Sequence, residues 1–168
     1  TVGTVGKYDK LEIGLDLPAT IDSQITEFLA DIDEGLNPFD PDDINLEATF
    51  SKVGGGPPDV VRYGFFYEQW ERNEGANVYD SDVTNFDWRI RFAPWFTGEW
   101  SVEIKLFIEG VEMYNTINFN FLCVDSDNKG PIGLPNMVGE EGRYLHYLAD
   151  GKTFHPIGHS VSLATPKI

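Results

Sequence analysis

The sequence predicts an all-β fold, an antiparallel β-sandwich of about seven to nine strands with one short helix. Three observations carry that prediction. Apolar and polar residues alternate with a period of two in several separate runs, the mark of strands buried on one face. Turn signals divide the runs: "GGGPP" at 54–58, "TG" at 97–98, "EG" at 109–110 and "DNKGP" at 127–131. Seventeen glycines and ten prolines punctuate 168 residues, which suits many short strands better than long helices.

The elements follow in order. "KLEIGLDLP" sets Leu11, Ile13, Leu15 and Leu17 against Lys10, Glu12 and Asp16. "TIDSQITEFLADIDEG" breaks the alternation, because Ile21, Ile25, Phe28, Leu29 and Ile32 recur at helical spacing. A helix near 21–33 is expected, capped by Thr20 or Asp22 and stopped at Gly35. "INLEATFS" turns Ile44, Leu46, Ala48 and Phe50 inward. "DWRIRFAP" does the same with Trp88, Ile90 and Phe92, sends Arg89 and Arg91 outward, and ends at Pro94. "EWSVEIKLFIEG" buries Trp100, Val102, Ile104 and Leu106, and "NTINFNFLCVD" offers Ile117, Phe119 and Phe121. The sandwich is expected to span 1–132. Residues 133–168 are a linker and a β-hairpin turning at Asp150-Gly151, where a tight turn favours positive φ.

Twelve basic and 28 acidic residues give a formal charge of −16. Nucleic acid and anionic membrane surfaces are therefore not expected partners, since phosphate binding needs clustered Lys and Arg. Cys123 is the single cysteine, so there is no intrachain disulfide and no multi-cysteine zinc site. Its setting in "FNFLCV" predicts a small buried hydrophobe. No run approaches the ~20 apolar residues of a membrane span. With no initiator Met and no signal sequence, the chain is expected to be a mature or trimmed part of a longer protein.

Chemistry-bearing patterns are few. His155 and His159 are four apart, the spacing at which a helix chelates metal, but Pro156 excludes a helix interior. On an extended strand they stand roughly 13 Å apart, too far to share an ion. His146 adds a third imidazole across the hairpin without completing a site. "DSDNKG" at 125–130 begins like a calcium loop, yet Lys129 and Asn136 fall where oxygen ligands belong, so a turn is expected. "FDPDD" at 39–43 reads as an Asx-type turn. Glu68 and Glu71 do not stand out as a catalytic pair among so many acids. No catalytic residue, metal ligand or cofactor is predicted. Aromatic residues number 14% of the chain. Trp70, Tyr67, Trp95 and Phe96 fall near strand ends and turns, where rings stack on sugars or fill the ends of a sandwich.

Taken in order, "KYDKLEIGLDL", "NPFDPDDINLEATF", "VVRYGFFYEQWER", "WRIRFAPWFTGEWSVEI", "FNFLCVDSDNKGPI" and "YLHYLADGKTFHPIGHSV" resemble a known family. This is the immunoglobulin-like N-terminal domain of unknown function that precedes (β/α)8-barrel glycoside hydrolases. The most specific parts are Asn37-Pro38-Phe39-Asp40, Arg91-Phe92-Ala93-Pro94 with Gly98-Glu99-Trp100, and Asp150-Gly151-Lys152 with Pro156-Ile157-Gly158. The helical insertion near 20–35 and the long "ERNEGANVYDSDVTNFD" loop depart from the family pattern. The resemblance implies a bacterial, secreted parent enzyme, placing the chain outside the cell, in the periplasm or on the cell surface. It implies a non-catalytic accessory domain whose partner is the C-terminal (β/α)8 catalytic domain of the same parent chain. "GKTFHPIG" would lead into that barrel, making Phe154, His155, Ile157 and His159 interdomain contacts. Phe154, Ile157 and Val161 are then expected to look like core residues missing a neighbour. The alternatives are an autonomous module binding polysaccharide through turn aromatics, or a structural cell-surface domain.

Overall fold

The alternating runs become strands of two facing sheets joined by an aromatic core. The computed structural model describes residues 3–68, 70–73, 75, 78–81, 87–113, 117–133, 145–147 and 150–154. The chain divides into two compact units, residues 1–126 and 127–168.

In the first unit the strands are β1 (Thr4–Gly6), β2 (Leu11–Leu15), β3 (Ile44–Lys52), β4 (Val60–Tyr63), β5 (Phe65–Phe66), β6 (Trp70–Asn73) and β7 (Val78–Ser81). They continue as β8 (Trp88–Phe92), β9 (Gly98–Ile108), β10 (Val111–Glu112) and β11 (Ile117–Val124). One sheet runs β1-β11-β9-β3-β4, with β10 on β9. The other runs β2-β8-β5, and β6 and β7 pair as a separate ribbon. The strand tally exceeds the expected seven to nine because pairings of two to four residues are too short to show periodicity. The first sheet is mixed rather than purely antiparallel, since β1 runs parallel to β11. Tyr8, at φ 66°, turns the chain between β1 and β2, and its N–H donates to Pro94 O at 2.7 Å.

Burial follows the alternation closely. Along β3, Ile44, Leu46, Ala48 and Phe50 are buried, and along β9 so are Trp100, Val102 and Ile104. Trp88, Ile90 and Phe92 of β8 face them, with Leu15, Phe121 and Cys123 completing the core. Phe50 and Phe92 stack across the sheets at 4.0 Å between ring centroids. Phe92 also meets Trp100 edge-on at 5.3 Å and Phe121 at 6.4 Å. Leu106 and Phe119 are only half-buried, and Ile117, at the start of β11, is 44% exposed rather than inward.

The helix α1 spans Ala19–Ala30 and is shorter than its sequence pattern. Pro18 rather than Thr20 or Asp22 holds the N-cap position, with its carbonyl accepting from Ile21 and Asp22. Proline fixes φ for a helix start, so no side-chain cap forms. Only Ile21 and Ile25 are buried, while Leu29 and Ile32 are 54% and 78% exposed. The chain turns back beyond the helix at Gly35, φ 70°, where Leu36 N–H donates to Gln24 O. A Cβ at Gly35 would collide with that same carbonyl, so the expected stop acts after a short connector.

Gly64 is the corner where β4 of one sheet passes to β5 of the other. Its N–H donates to Leu46 O at 2.6 Å. A Cβ there would meet Leu46 side-chain atoms at 2.5, 2.8 and 2.9 Å.

In the second unit β12 (Ile132–Gly133) pairs antiparallel with β13 (His146–Tyr147). The Asp150-Gly151 turn forms as expected: Gly151 has φ 68°, Tyr147 N–H donates to Lys152 O, and Asp150 Oδ1 accepts from Lys152 N–H. That last bond holds the Asp150 carboxyl below its ordinary pKa.

Two substitutions test this frame by urea denaturation of the 168-residue chain. Phe92→Ala should cost about 3–5 kcal/mol, the usual loss for a buried ring. Gly64→Ala should cost about 1–3 kcal/mol through overpacking against Leu46. An unchanged midpoint for Gly64→Ala would show that the corner has room to spare.

Candidate functional site

A groove of about 670 Å³ opens between the two sheets of the first unit. Its walls come from three sequence features. The loop "NPFDPDD" contributes Pro38, Phe39, Pro41 and Asp42; the start of β3 adds Ile44, Asn45 and Glu47; the Gly64 corner adds Tyr63, Phe65 and Phe66, with Trp88 beside them.

The loop is fixed by its own polar groups. Asn37 Oδ1 accepts from Phe39 N–H at 2.9 Å, and Asp40 Oδ1 accepts from Asp42 N–H at 2.9 Å. Both are Asx turns; the sequence predicts the one at Asp40, within 39–43. Asp43 Oδ2 accepts from Asn37 N–H at 3.0 Å, closing the loop on itself. Phe39 is thereby held outward, 67% exposed, with its ring edge-on to Phe66 at 5.7 Å. Phe66 in turn meets Trp88 at 6.0 Å. Tyr63, 63% exposed, stands opposite Glu47 in the β3–β4 register. Asn45 Nδ2 donates to Glu47 Oε1 at 2.8 Å. The Trp88 indole N–H is buried and has no acceptor among the described residues. Exposed rings beside amide and carboxylate groups can stack on apolar faces and bond hydroxyls, the chemistry of a saccharide site.

None of the four turn aromatics marked by the sequence lines this groove. Trp70 is 55% exposed on β6. Tyr67 is half-buried, with the Arg89 guanidinium 3.9 Å from its ring centre and Phe65 edge-on at 6.3 Å. Trp95 is half-buried against Phe92 and Trp100, and Phe96, 47% exposed, lies edge-on to it. Phe39 and Tyr63 were missed because ring exposure depends on the loop closure and the sheet switch. The one available signal was the proline-and-aspartate frame around Phe39.

Of the interdomain candidates, Phe154 is half-buried and packs edge-on against Tyr147 at 5.5 Å. His155, Ile157, His159 and Val161 lie outside the described residues. His146 bonds Gly151 O through Nδ1 at 2.7 Å, while its buried Nε2 has no partner among them. No group of three metal-ligating side chains occurs among the described residues. Burial raises the Cys123 thiol pKa, as expected for an inert core position. Asp22 and Asp87 are raised first by partial desolvation and then by neighbouring carboxylates, Asp16 being common to both.

The exposed face of β2 and β8 carries a different pattern. Arg89, expected outward in solvent, is only 8% exposed, because Tyr67 covers it and Glu12 binds it at 3.1 Å. Glu12 also accepts from Arg91 at 2.6 Å and Lys10 at 3.2 Å. The Arg91 bond is the chief reason its carboxyl sits below the ordinary range. A carboxyl more acidic when folded stabilises fully above its unfolded pKa of about 4.3 and loses that contribution as pH falls further. Glu12→Gln should therefore cost about 1–2 kcal/mol at pH 7 and flatten the acid limb below pH 4. Urea midpoints at pH 7 and pH 3 check both; equal losses at the two would exclude the ionic contribution.

No family model matches the chain, and no curated protein does. One solved structure shares its fold: "a putative glycoside hydrolase from Bacteroides vulgatus ATCC 8482", at 22% identity and a TM-score of 0.50. The match covers 91% of this chain and 21% of that one, so the chain spans about a fifth of the length of the protein it is similar to.

Proposed function

We propose that the chain is a non-catalytic N-terminal accessory domain of a bacterial glycoside hydrolase, exported from the cytoplasm. It packs on the (β/α)8 catalytic barrel, stabilises it and shapes one side of its cleft. The observation that carries this reading is a likeness covering nearly all of this chain but a fifth of a much longer protein. The strand orders support the immunoglobulin-like assignment within it. In β11-β9-β3-β4 against β2-β8-β5, the strands fall as G-F-C-C′ against B-E-D, with β1 beside G. Residues 133–168 then serve as linker and hairpin toward the barrel. Mixing the 168-residue chain with the purified barrel segment of its parent should give a co-eluting complex and raise the barrel's melting temperature by several degrees. Separate elution with an unchanged melting temperature would sink the reading.

The groove at Phe39 and Tyr63 favours a second reading, a polysaccharide-binding module. Because both rings are mostly exposed, Phe39→Ala and Tyr63→Ala should leave folding intact. Each should weaken binding to a soluble neutral glucan or mannan roughly tenfold, or ~1.4 kcal/mol, in affinity electrophoresis. Retained mobility shifts in both variants, with loss in Trp70→Ala or Trp95→Ala, would move the site to the turn aromatics.

A further inference from the structure

A second, shallow cavity of about 340 Å³ is lined by Lys10, Arg62, Arg91, Phe92, Ala93 and Trp95 and opens widely to solvent. In a chain with 12 basic residues against 28 acidic ones, three cations converge on one cavity. Among the described residues, one carboxylate forms their ion pairs. Glu12 alone is shared by Lys10, Arg89 and Arg91. Arg62 donates to the adjacent Val61 carbonyl at 3.0 Å and forms no ion pair among the described residues. The cavity thus keeps a surplus of positive charge beside an indole.

The parts are held in place independently of any ligand. Arg91 is fixed by its 2.6 Å bond to Glu12 and lies over the Phe65 ring at 4.8 Å. Trp95 is braced by Phe92 and Trp100 at 5.9 and 5.7 Å, leaving its half-exposed surface to the cavity. Arg62 reaches it from the opposite sheet, because it shares its face with the inward Ala48 at the free edge of β4. Guanidinium groups bind carboxylates through paired N–H donors, and an indole offers a flat surface for a pyranose ring. A volume of this order admits one sugar residue.

We propose that this cavity is a subsite for the carboxylate-bearing residue of an acidic polysaccharide, a uronate, with Arg62 and Lys10 taking the carboxylate and Trp95 the ring. The choice of a saccharide over other carboxylates rests on the glycoside-hydrolase reading; the choice of an acidic one rests on the charges.

The test is calorimetric titration of the 168-residue chain with trigalacturonic acid and with its methyl ester, in EDTA to exclude calcium bridging. The acid should bind, the uncharged ester should bind at least tenfold more weakly, and added salt should weaken only the acid. Arg62→Gln, an exposed site whose circular dichroism and melting should match wild type, should lower the acid's affinity about tenfold. Lys10→Gln, at a side chain 62% exposed, provides a second variant with the same expected direction. Equal binding of acid and ester, or acid binding untouched by both variants, overturns the proposal. Full competition by millimolar inorganic sulfate reduces the cavity to a general anion site and also overturns it. Measuring association with the barrel on the same proteins separates the two readings. Loss of sugar binding with retained association leaves the accessory role standing. Weakened association without any sugar binding makes the cavity an interdomain contact instead.

Discussion

The stacked contact between Phe50 and Phe92 is the point on which the rest of the first unit depends. The chain has one cysteine, so no intrachain disulfide can tie its facing sheets together. Aromatic rings do so instead. Phe92 touches Phe50, Trp95, Trp100 and Phe121, and Trp100 stacks parallel to Phe121 at 6.4 Å. Each such pair adds about 0.5–1.5 kcal/mol beyond area burial, and rings resist the small shifts that aliphatic side chains absorb. The Trp100 indole N–H donates to Phe96 O at 2.9 Å, so the same cluster also pins the β8–β9 corner. Anchoring that corner is what leaves Trp95 half out of the core and Phe96 at the surface.

Both concavities lie where the chain changes sheets. At Gly64 it crosses from β4 to β5 without a side chain, close enough to Leu46 that only glycine fits. That crossing brings Tyr63 and Phe65 to one wall of the groove. At Pro94 it leaves β8 for β9, and Ala93 and Trp95 line the cationic cavity. Sheet faces are flat and their edges are short, so ligand-sized hollows arise where strands switch sheets. The concavities arise from how two facing sheets are joined, and their lining from which side chains occupy the corners.

Much of this architecture was legible because burial imposes a period of two. In β3 the pattern predicted Ile44, Leu46, Ala48 and Phe50, and these four are buried. What the pattern could not convey was anything decided by a neighbour distant in sequence. Arg89 alternates like a solvent residue, yet Tyr67 and Glu12 cover it. Leu29 and Ile32 continue a helical stripe, but Leu29 is exposed within the helix and Ile32 lies beyond its end. The parallel pairing of β1 with β11 joins segments over 100 residues apart, and a three-residue strand carries too little alternation to announce it. For the groove, the Asx turn at Asp40 was readable locally, whereas the Asn37 turn was not, and the placement of Tyr63 required knowing that Gly64 is a corner.

A net charge of −16 looks incompatible with an acidic ligand, and the distances decide otherwise. At 0.15 M ionic strength the Debye length is about 8 Å, so carboxylates across the domain are screened from a bound sugar. Charges lining the cavity act at contact, beside the half-buried Trp95 ring. The acidic remainder then acts only on approach. It slows encounter with a polyanion and prevents the domain from adhering to one indiscriminately, leaving the few unneutralised cations as the place where contact is favourable. Sharing Glu12 among three cations leaves positive charge in excess. Lys10, Arg89 and Arg91 share that one carboxylate, too few negative charges to neutralise all three, and Arg62 forms no ion pair among the described residues.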